Sequence, residues 1–215
     1  EAQAALLSLH ASRELRGRLR LSFPPEFGIE RVNPLIAQFL CQHPGLSIDA
    51  ELTTRQVDLV AEGIDLALRI GPSRHSSIVA RRLCDLPFGL FAAPAYLVEH
   101  GTPLLPGHLA EHRCLYVLGG ADGIDWHFKM PGETVAVRVH GPMTGNSFDL
   151  LLRGALSGLG IAMLYCEQVT RHPELIEVLP DFPLAARTVY AAYPSRKHPP
   201  PAVLALIEFL HSQLS

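Results

Sequence analysis

Apolar and polar residues alternate with a period of two over Arg18-Leu19-Arg20-Leu21-Ser22, the mark of a strand with one buried face. Pro24 and Pro25 follow at once and forbid its continuation. Asn33-Pro34 predicts a helix start, with Asn33 as N-cap and Pro34 in the first helical position. Leu35, Ile36, Phe39 and Leu40 form that helix's apolar stripe, and Pro44-Gly45 stops it. Leu46 to Leu52 alternates again, Ile48, Ala50 and Leu52 against Asp49 and Glu51. Thr53-Thr54 predicts the cap of a short helix through Ala61, which Gly63 terminates. Ile64 to Ile70 is apolar almost throughout, as in a parallel strand buried on both faces.

Strand, helix, strand, helix, strand in about 70 residues implies a parallel, right-handed, doubly wound sheet. Ligands of such sheets bind beyond the carboxyl ends of the strands, here Ser22 to Gly28, Thr53-Thr54 and Arg69 to Gly71. Ahead of this unit, Glu1 to Leu15 is rich in Ala and Leu and reads as helix up to Gly17. Behind it, the apolar stretch Phe88 to Ala93 leads to Pro94-Ala95-Tyr96-Leu97 and a Pro- and Gly-rich region. A second alternation follows, with strands at Cys114 to Leu118 and Val135 to Val139. Asn146-Ser147 caps a helix whose Phe148, Leu151, Leu152 and Ala155 share one face. Trp126 and Phe128 are expected to anchor a loop. Gly160 to Leu164 reads as a buried strand, Leu175 to Leu179 as a short extended piece and Val189 to Pro194 as the last strand. Pro199-Pro200-Pro201 introduces a helix with Val203, Leu206, Ile207, Leu210 and Leu214 on one face. No internal repeat is present.

Composition narrows the class. The 215 residues fit one large domain or two lobes, and 48% hydrophobic with 18% charged residues is ample for a packed core. A net charge of −3, from 18 basic and 21 acidic residues, offers no basic face for a phosphate backbone. The longest apolar run, near Gly158 to Leu164, falls far short of the ~20 residues of a membrane span, and no secretory signal opens the chain. Cys41, Cys84, Cys114 and Cys166 lack CxxC spacing and read as reduced, buried residues. A cytoplasmic location is expected.

Candidate chemistry is sparse. His108, Glu111 and His112 fit H-x-x-E-H, but too few residues separate Gly107 from the strand at Cys114 to hold a metal rigidly, so a surface turn is preferred. Ser22 lacks the G-x-S-x-G setting of a nucleophile. No catalytic dyad, metal site or cofactor is expected. Arg69 either pairs a ligand carboxylate or forms a salt-bridged strand end, with Glu26 as candidate partner. Asn146 reads as the helix N-cap, Phe148 is divided between core and pocket, and Arg81-Arg82 reads as a solvated pair.

Several segments carry a resemblance. Leu19 to Ser22 through Phe27-Gly28, Val57 to Gly71, Pro94 to Leu97 with His100-Gly101, Gly154 to Ala162, and Tyr190 to Arg196 are similar, in order and across essentially the whole chain, to effector-binding domains of LysR-type transcriptional regulators. Arg69-Ile70-Gly71 resembles the end of the third strand in a large subgroup. Tyr165, where the family more often has Pro, and His75, where this subgroup commonly has Asp, depart from the pattern. Tyr165 is expected to reach a cleft or the solvent.

The resemblance implies an α/β fold of two Rossmann-like lobes with mostly parallel sheets, joined by two crossing strands and similar to type 2 periplasmic binding proteins. It implies residues 1–16 as the end of a linker helix, 17–92 with 190–215 as lobe I and 93–189 as lobe II. An N-terminal helix-turn-helix, absent from this chain, would be the only contact with DNA. The effector positions it implies are Ser22, Phe23, Pro24, Pro25, Thr53, Thr54, Arg69, Ile70 and Gly71 from one lobe, and Asn146, Ser147 and Phe148 from the other. Hydroxyls at Ser22 and Thr53, the Arg69 guanidinium and a helix N-terminus at Ser147 favour an anionic or strongly polar effector over a neutral one. The expected role is small-molecule sensing that modulates transcription, with self-association to a dimer or tetramer, no membrane and no catalysis. The rival readings are a periplasmic solute-binding protein of a transporter, and an enzyme on the same scaffold.

Overall fold

The computed structural model describes residues 15–71, 78–117, 122–185, 187–195 and 199–214. The helix expected from Glu1 falls on residues 1–14 and, like His75 and Arg196, lies outside the described residues. The chain divides into two compact units, Glu1–Asp85 with Thr188–Ser215, and Leu86–Arg187.

The first unit holds a five-stranded sheet. Strands β1 (Gly17–Phe23), β2 (Leu46–Leu52) and β3 (Leu66–Ile70) are parallel, with Gly17 opposite Leu46 and Leu21 opposite Leu66. Strand β11 (Arg187–Pro194) runs antiparallel to β3, and β4 (Ile78–Leu86) completes the order β2-β1-β3-β11-β4. The carboxyl ends of β1, β2 and β3 therefore lie along one edge. In β1 the alternation works as read: Leu19, Leu21 and Phe23 are buried while Arg18 and Arg20 are exposed. Strand β4 had no clear sequence signal, because Arg81 and Arg82 interrupt its apolar pattern. Both project outward into ion pairs, Arg81 with Glu208 at 2.7 Å and Arg82 with Asp85 at 2.6 Å.

Helix formation begins earlier than Asn33-Pro34 suggests. A helical turn Pro25–Phe27 runs through a wide stretch, Gly28–Val32, into α1 (Asn33–Gln42). Asn33 is not an N-cap: its N–H donates to the Gly28 carbonyl five residues back, and Val32 before it is already helical. The widening is how a helix accommodates Pro34, which has no N–H and would clash with a regular i−4 carbonyl. Gly28 itself is required by packing, since a Cβ there would collide with the Phe23 ring. The C-terminal helix α4 (Pro201–Leu214) buries the predicted face and stacks Phe209 on Phe39 at 5.3 Å.

The helix predicted after Thr53-Thr54 does not form. Asp58 captures the backbone N–H groups of Val60 and Ala61, and Glu62 captures that of Asp58, closing a compact turn at 59–63. Side-chain acceptors here outcompete a regular backbone ladder.

The second unit carries a six-stranded sheet in the order β10-β5-β9-β6-β8-β7. Its strands are β5 (Phe88–Ala92), β6 (Arg113–Val117), β7 (Ile124–Met130), β8 (Glu133–Gly145), β9 (Ile161–Tyr165) and β10 (Ile176–Val178). Strand β5 pairs with β9 and β10, so the boundary falls at Asp85/Leu86 rather than after residue 92. Trp126 and Phe128 are not loop anchors. They are the buried positions of β7, at 1% and 0% exposure, alternating with exposed Asp125, His127 and Lys129. Helix α2 (Pro94–His100) contributes buried Tyr96 and Leu97, and α3 (Phe148–Leu156) buries Leu151, Leu152 and Ala155 against β9 and β6. Among the cysteines, Cys84 and Cys114 are buried, Cys166 is half-buried and Cys41 is exposed, contrary to the expectation that all four are buried. Among the described residues no helix is long and apolar enough to cross a membrane.

Candidate functional site

The parallel register sets Ser22 of β1 beside Ala67 of β3, so Arg69 lies two residues further along β3, on the same side. Ser22 is fully buried, and its hydroxyl accepts a 2.6 Å hydrogen bond from Arg69 Nη2. Arg69 Nη1 donates to the Leu68 carbonyl at 2.8 Å. Neither partner is charged, and the alternative pairing with Glu26 is not made. Burial, the dominant influence, pulls the Arg69 guanidinium down to about 10; the Glu51 and Glu62 carboxylates oppose that shift and Arg55 adds to it. Burial thus outweighs the neighbouring carboxylates in setting the Arg69 pKa.

Thr53, just past β2, ties this edge together. Its N–H donates to the Phe23 carbonyl at 2.9 Å, and its hydroxyl accepts from the Arg55 N–H at 3.1 Å. Direct bonds thus join Ser22 to Arg69 and Phe23 to Thr53. Pro24 accepts from the Gly28 N–H, and Pro25 opens the helical stretch. Ile70 ends β3, and Gly71 takes a left-handed φ of 88° while its N–H bonds the Thr188 carbonyl at 2.8 Å. Thr54 follows Thr53 on the same edge, half-buried. Close by, Arg55 clamps both oxygens of Glu62, at 2.8 and 2.6 Å. That bond and the Asp58 N–H hold the Glu62 carboxyl well below the usual carboxylate range. Arg55 is thus occupied by carboxylate, whereas among the described residues Arg69 bonds neutral oxygens.

In the second unit, Ser147 rather than Asn146 caps α3. Ser147 has extended backbone angles and its hydroxyl accepts from the Leu150 N–H at 3.4 Å, the N-cap to N3 bond. Asn146 stands one residue too early. Phe148 is buried with its ring 5.2 Å from Phe88, so packing claims it. Asp149 already places a carboxylate in the first helical turn, bonded to Arg153 at 2.7 Å. Tyr165 reaches neither open space nor solvent: it is 2% exposed and donates to Glu167 Oε2 at 2.7 Å.

A residue missed by sequence reasoning lies here too. Arg187, at the head of β11, holds its guanidinium 5.3 Å from the Phe88 ring centroid and donates to Met163 Sδ at 3.5 Å. Burial pushes its pKa down. The only signal was a lone cation opening an otherwise apolar strand.

The H-x-x-E-H residues sit on and after a tight helical turn, Pro106–Glu111. His112 Nδ1 meets the Tyr96 hydroxyl at 3.1 Å, that hydroxyl accepts from the Arg113 N–H at 2.9 Å, and His108 accepts from the Leu104 N–H at 3.3 Å. Cys114 nearby is fully buried, its thiol pushed up to about 12 by desolvation. Among the described residues no cluster of three or more His, Cys, Asp or Glu is arranged to hold a metal.

The family model described as the LysR substrate binding domain matches residues 12–215. An HTH-type transcriptional regulator of Haemophilus influenzae is 33% identical over 203 residues, covering 93% of this chain and 70% of that protein. The HTH-type transcriptional regulator PtxR of Pseudomonas aeruginosa is 32% identical over 204 residues, 94% of this chain and 65% of its own length. CrgA, a LysR-type transcriptional regulator from Neisseria meningitidis, superposes with a TM-score of 0.81 and 25% identity, over 100% of this chain and 73% of that one. The chain thus spans only part of each of these proteins.

Proposed function

Because the chain belongs to the LysR substrate binding domain family, the effector-binding part of LysR-type transcriptional regulators, we propose that it senses a small anionic molecule through the strand ends of its first unit. The observation that carries this reading is Arg69, half-buried and hydrogen-bonded, among the described residues, to the neutral oxygens of Ser22 and Leu68. A guanidinium presents five donors in a planar fork that fits a carboxylate bidentately. In a site of reduced dielectric such a pair is stronger than in water. Thr53 and Thr54 supply hydroxyls beside it. Ser22, Phe23, Pro24, Pro25, Ile70 and Gly71 shape the same edge.

In the whole regulator, effector binding would bias how a helix-turn-helix domain is presented to DNA, through a dimer or tetramer. That bias is limited to the effector's differential affinity for the states involved. Such a regulator works where the DNA is, in the cytoplasm. The family is one of transcriptional regulator domains rather than enzymes, and its helix-turn-helix relatives disfavour a transporter's solute-binding protein.

Thermal melting with paired ligands tests the reading. Succinate and benzoate should raise Tm while succinamide and benzamide do not. Saturation at a hundred times Kd adds about 2.7 kcal/mol, a shift of several degrees for a chain of this size. Equal stabilisation by the neutral amides would remove the anionic assignment.

A further inference from the structure

We propose that Arg187 is a second anion-binding group, built into the second unit, and that it takes the carboxylate of a small organic acid. This deepens the reading above by adding a specificity residue that the family resemblance did not supply.

The setting of Arg187, half-buried against a ring and a thioether, carries the inference. Seven arginines at or near the surface have carboxylate partners: Arg18, Arg55, Arg81, Arg82, Arg138 and Arg153 at 2.6 to 3.2 Å, and Arg20 at 3.7 Å. The two arginines that burial depresses, Arg69 and Arg187, have none among the described residues. Ordinary stability runs the other way, since a charge removed from water needs its counter-ion most.

The setting of Arg187 fits a carboxylate. Among the described residues its hydrogen-bond acceptor is the Met163 thioether, a weak acceptor. Its other contact is the face of Phe88, which softens desolvation without using N–H donors. Phe88 is held in turn by Phe148 at 5.2 Å and Tyr165 at 6.1 Å, so the wall behind the cation is rigid and apolar. An incoming acid would meet a cation whose remaining donors are uncommitted, against a surface that also favours an apolar or aryl remainder.

Nitrogen-15 NMR of the arginine Nε–Hε groups tests this directly, with benzoate and succinate as probes and benzamide as the neutral control. The signals are assigned from Arg69→Gln and Arg187→Gln. A saturable shift at Arg187 with the acids but not the amide, weakened at least about tenfold in Arg187→Gln, is the expected result, since a charge-assisted bond is lost. Shifts at Arg69 with silence at Arg187 overturn this inference and leave the first-unit reading intact. Shifts at Arg187 with silence at Arg69 do the reverse, and silence at both removes both. Arg187→Met supplies the control for a purely structural role. A ligand-binding arginine predicts that this variant melts no lower than the parent and loses its response to the acids. A lower Tm with unchanged acid affinity assigns Arg187 to packing instead.

Discussion

The strand edge of the first unit and the aromatic wall of the second hold the same kind of group in different ways. Arg69 is fixed by two oxygens, the Ser22 hydroxyl at 2.6 Å and the Leu68 carbonyl at 2.8 Å. Arg187 rests on a sulfur at 3.5 Å and a ring at 5.3 Å. Burial pushes both guanidinium groups down. Oxygen acceptors are directional and set the plane of the fork before a ligand arrives, whereas thioether and π contacts are soft and tolerate rotation. The first unit therefore presents a preorganised cation, and the second a cation whose orientation a ligand can adjust. Preorganisation lowers the cost of binding, so the greater share of anion affinity belongs to Arg69.

The strongest way to break this comparison is to damage one wall and watch the other. Trp126 is 1% exposed in the core against which Phe88 packs. Trp126→Ala should cost about 3–5 kcal/mol of stability by chemical denaturation. Below the midpoint, the carboxylate response at Arg69 should persist while that at Arg187 fades. Ser22→Ala sharpens the other side. It removes one of the two oxygens orienting Arg69, and isothermal calorimetry should show about a tenfold loss of carboxylate affinity, close to the worth of one hydrogen bond. Ser147→Ala is milder: loss of the N-cap should cost about 0.5–1 kcal/mol, the low end because the bond is long at 3.4 Å. Asn146→Ala should leave stability nearly unchanged.

The smallest effect concerns acid. His112 Nδ1 faces the Tyr96 hydroxyl at 3.1 Å, and that hydroxyl accepts from the Arg113 N–H. Burial lowers the His112 pKa, His100 and His108 push the same way, and Glu111 opposes them. The unfolded chain then takes up a proton before the folded one does. This stability is complete above the ordinary histidine value of 6.5 and declines as pH falls from there through the depressed folded value. Tm should therefore drop more steeply below 6.5 in the parent than in His112→Gln.

Much of the fold was legible because its signals are local. The period-two pattern of β1, the apolar run of β3 and the faces of α3 and α4 each follow from short-range periodicity. Where side chains compete with the backbone, the reading failed. Asp58 and Glu62 turned an expected helix into a compact loop, and Pro34 was absorbed inside a helix that it was expected to begin. Trp126 and Phe128 did alternate with polar neighbours, but β7 gains its meaning only from the long partner β8. The candidate edge at Ser22, Thr53 and Arg69 could be placed from strand ends alone. Arg187 could not, because its setting is made by Phe88 and Met163, which are far from it in sequence.

The central claim is that Arg69 holds an anion. Calorimetric titration of a stabilising carboxylate into the parent protein, Arg69→Lys and Arg69→Gln tests it most directly. The account predicts a loss of roughly 10- to 100-fold in Arg69→Gln, the worth of a charge-assisted bidentate pair. Arg69→Lys should fall between, keeping the charge and losing the fork. Equal affinity across all three proteins would contradict it.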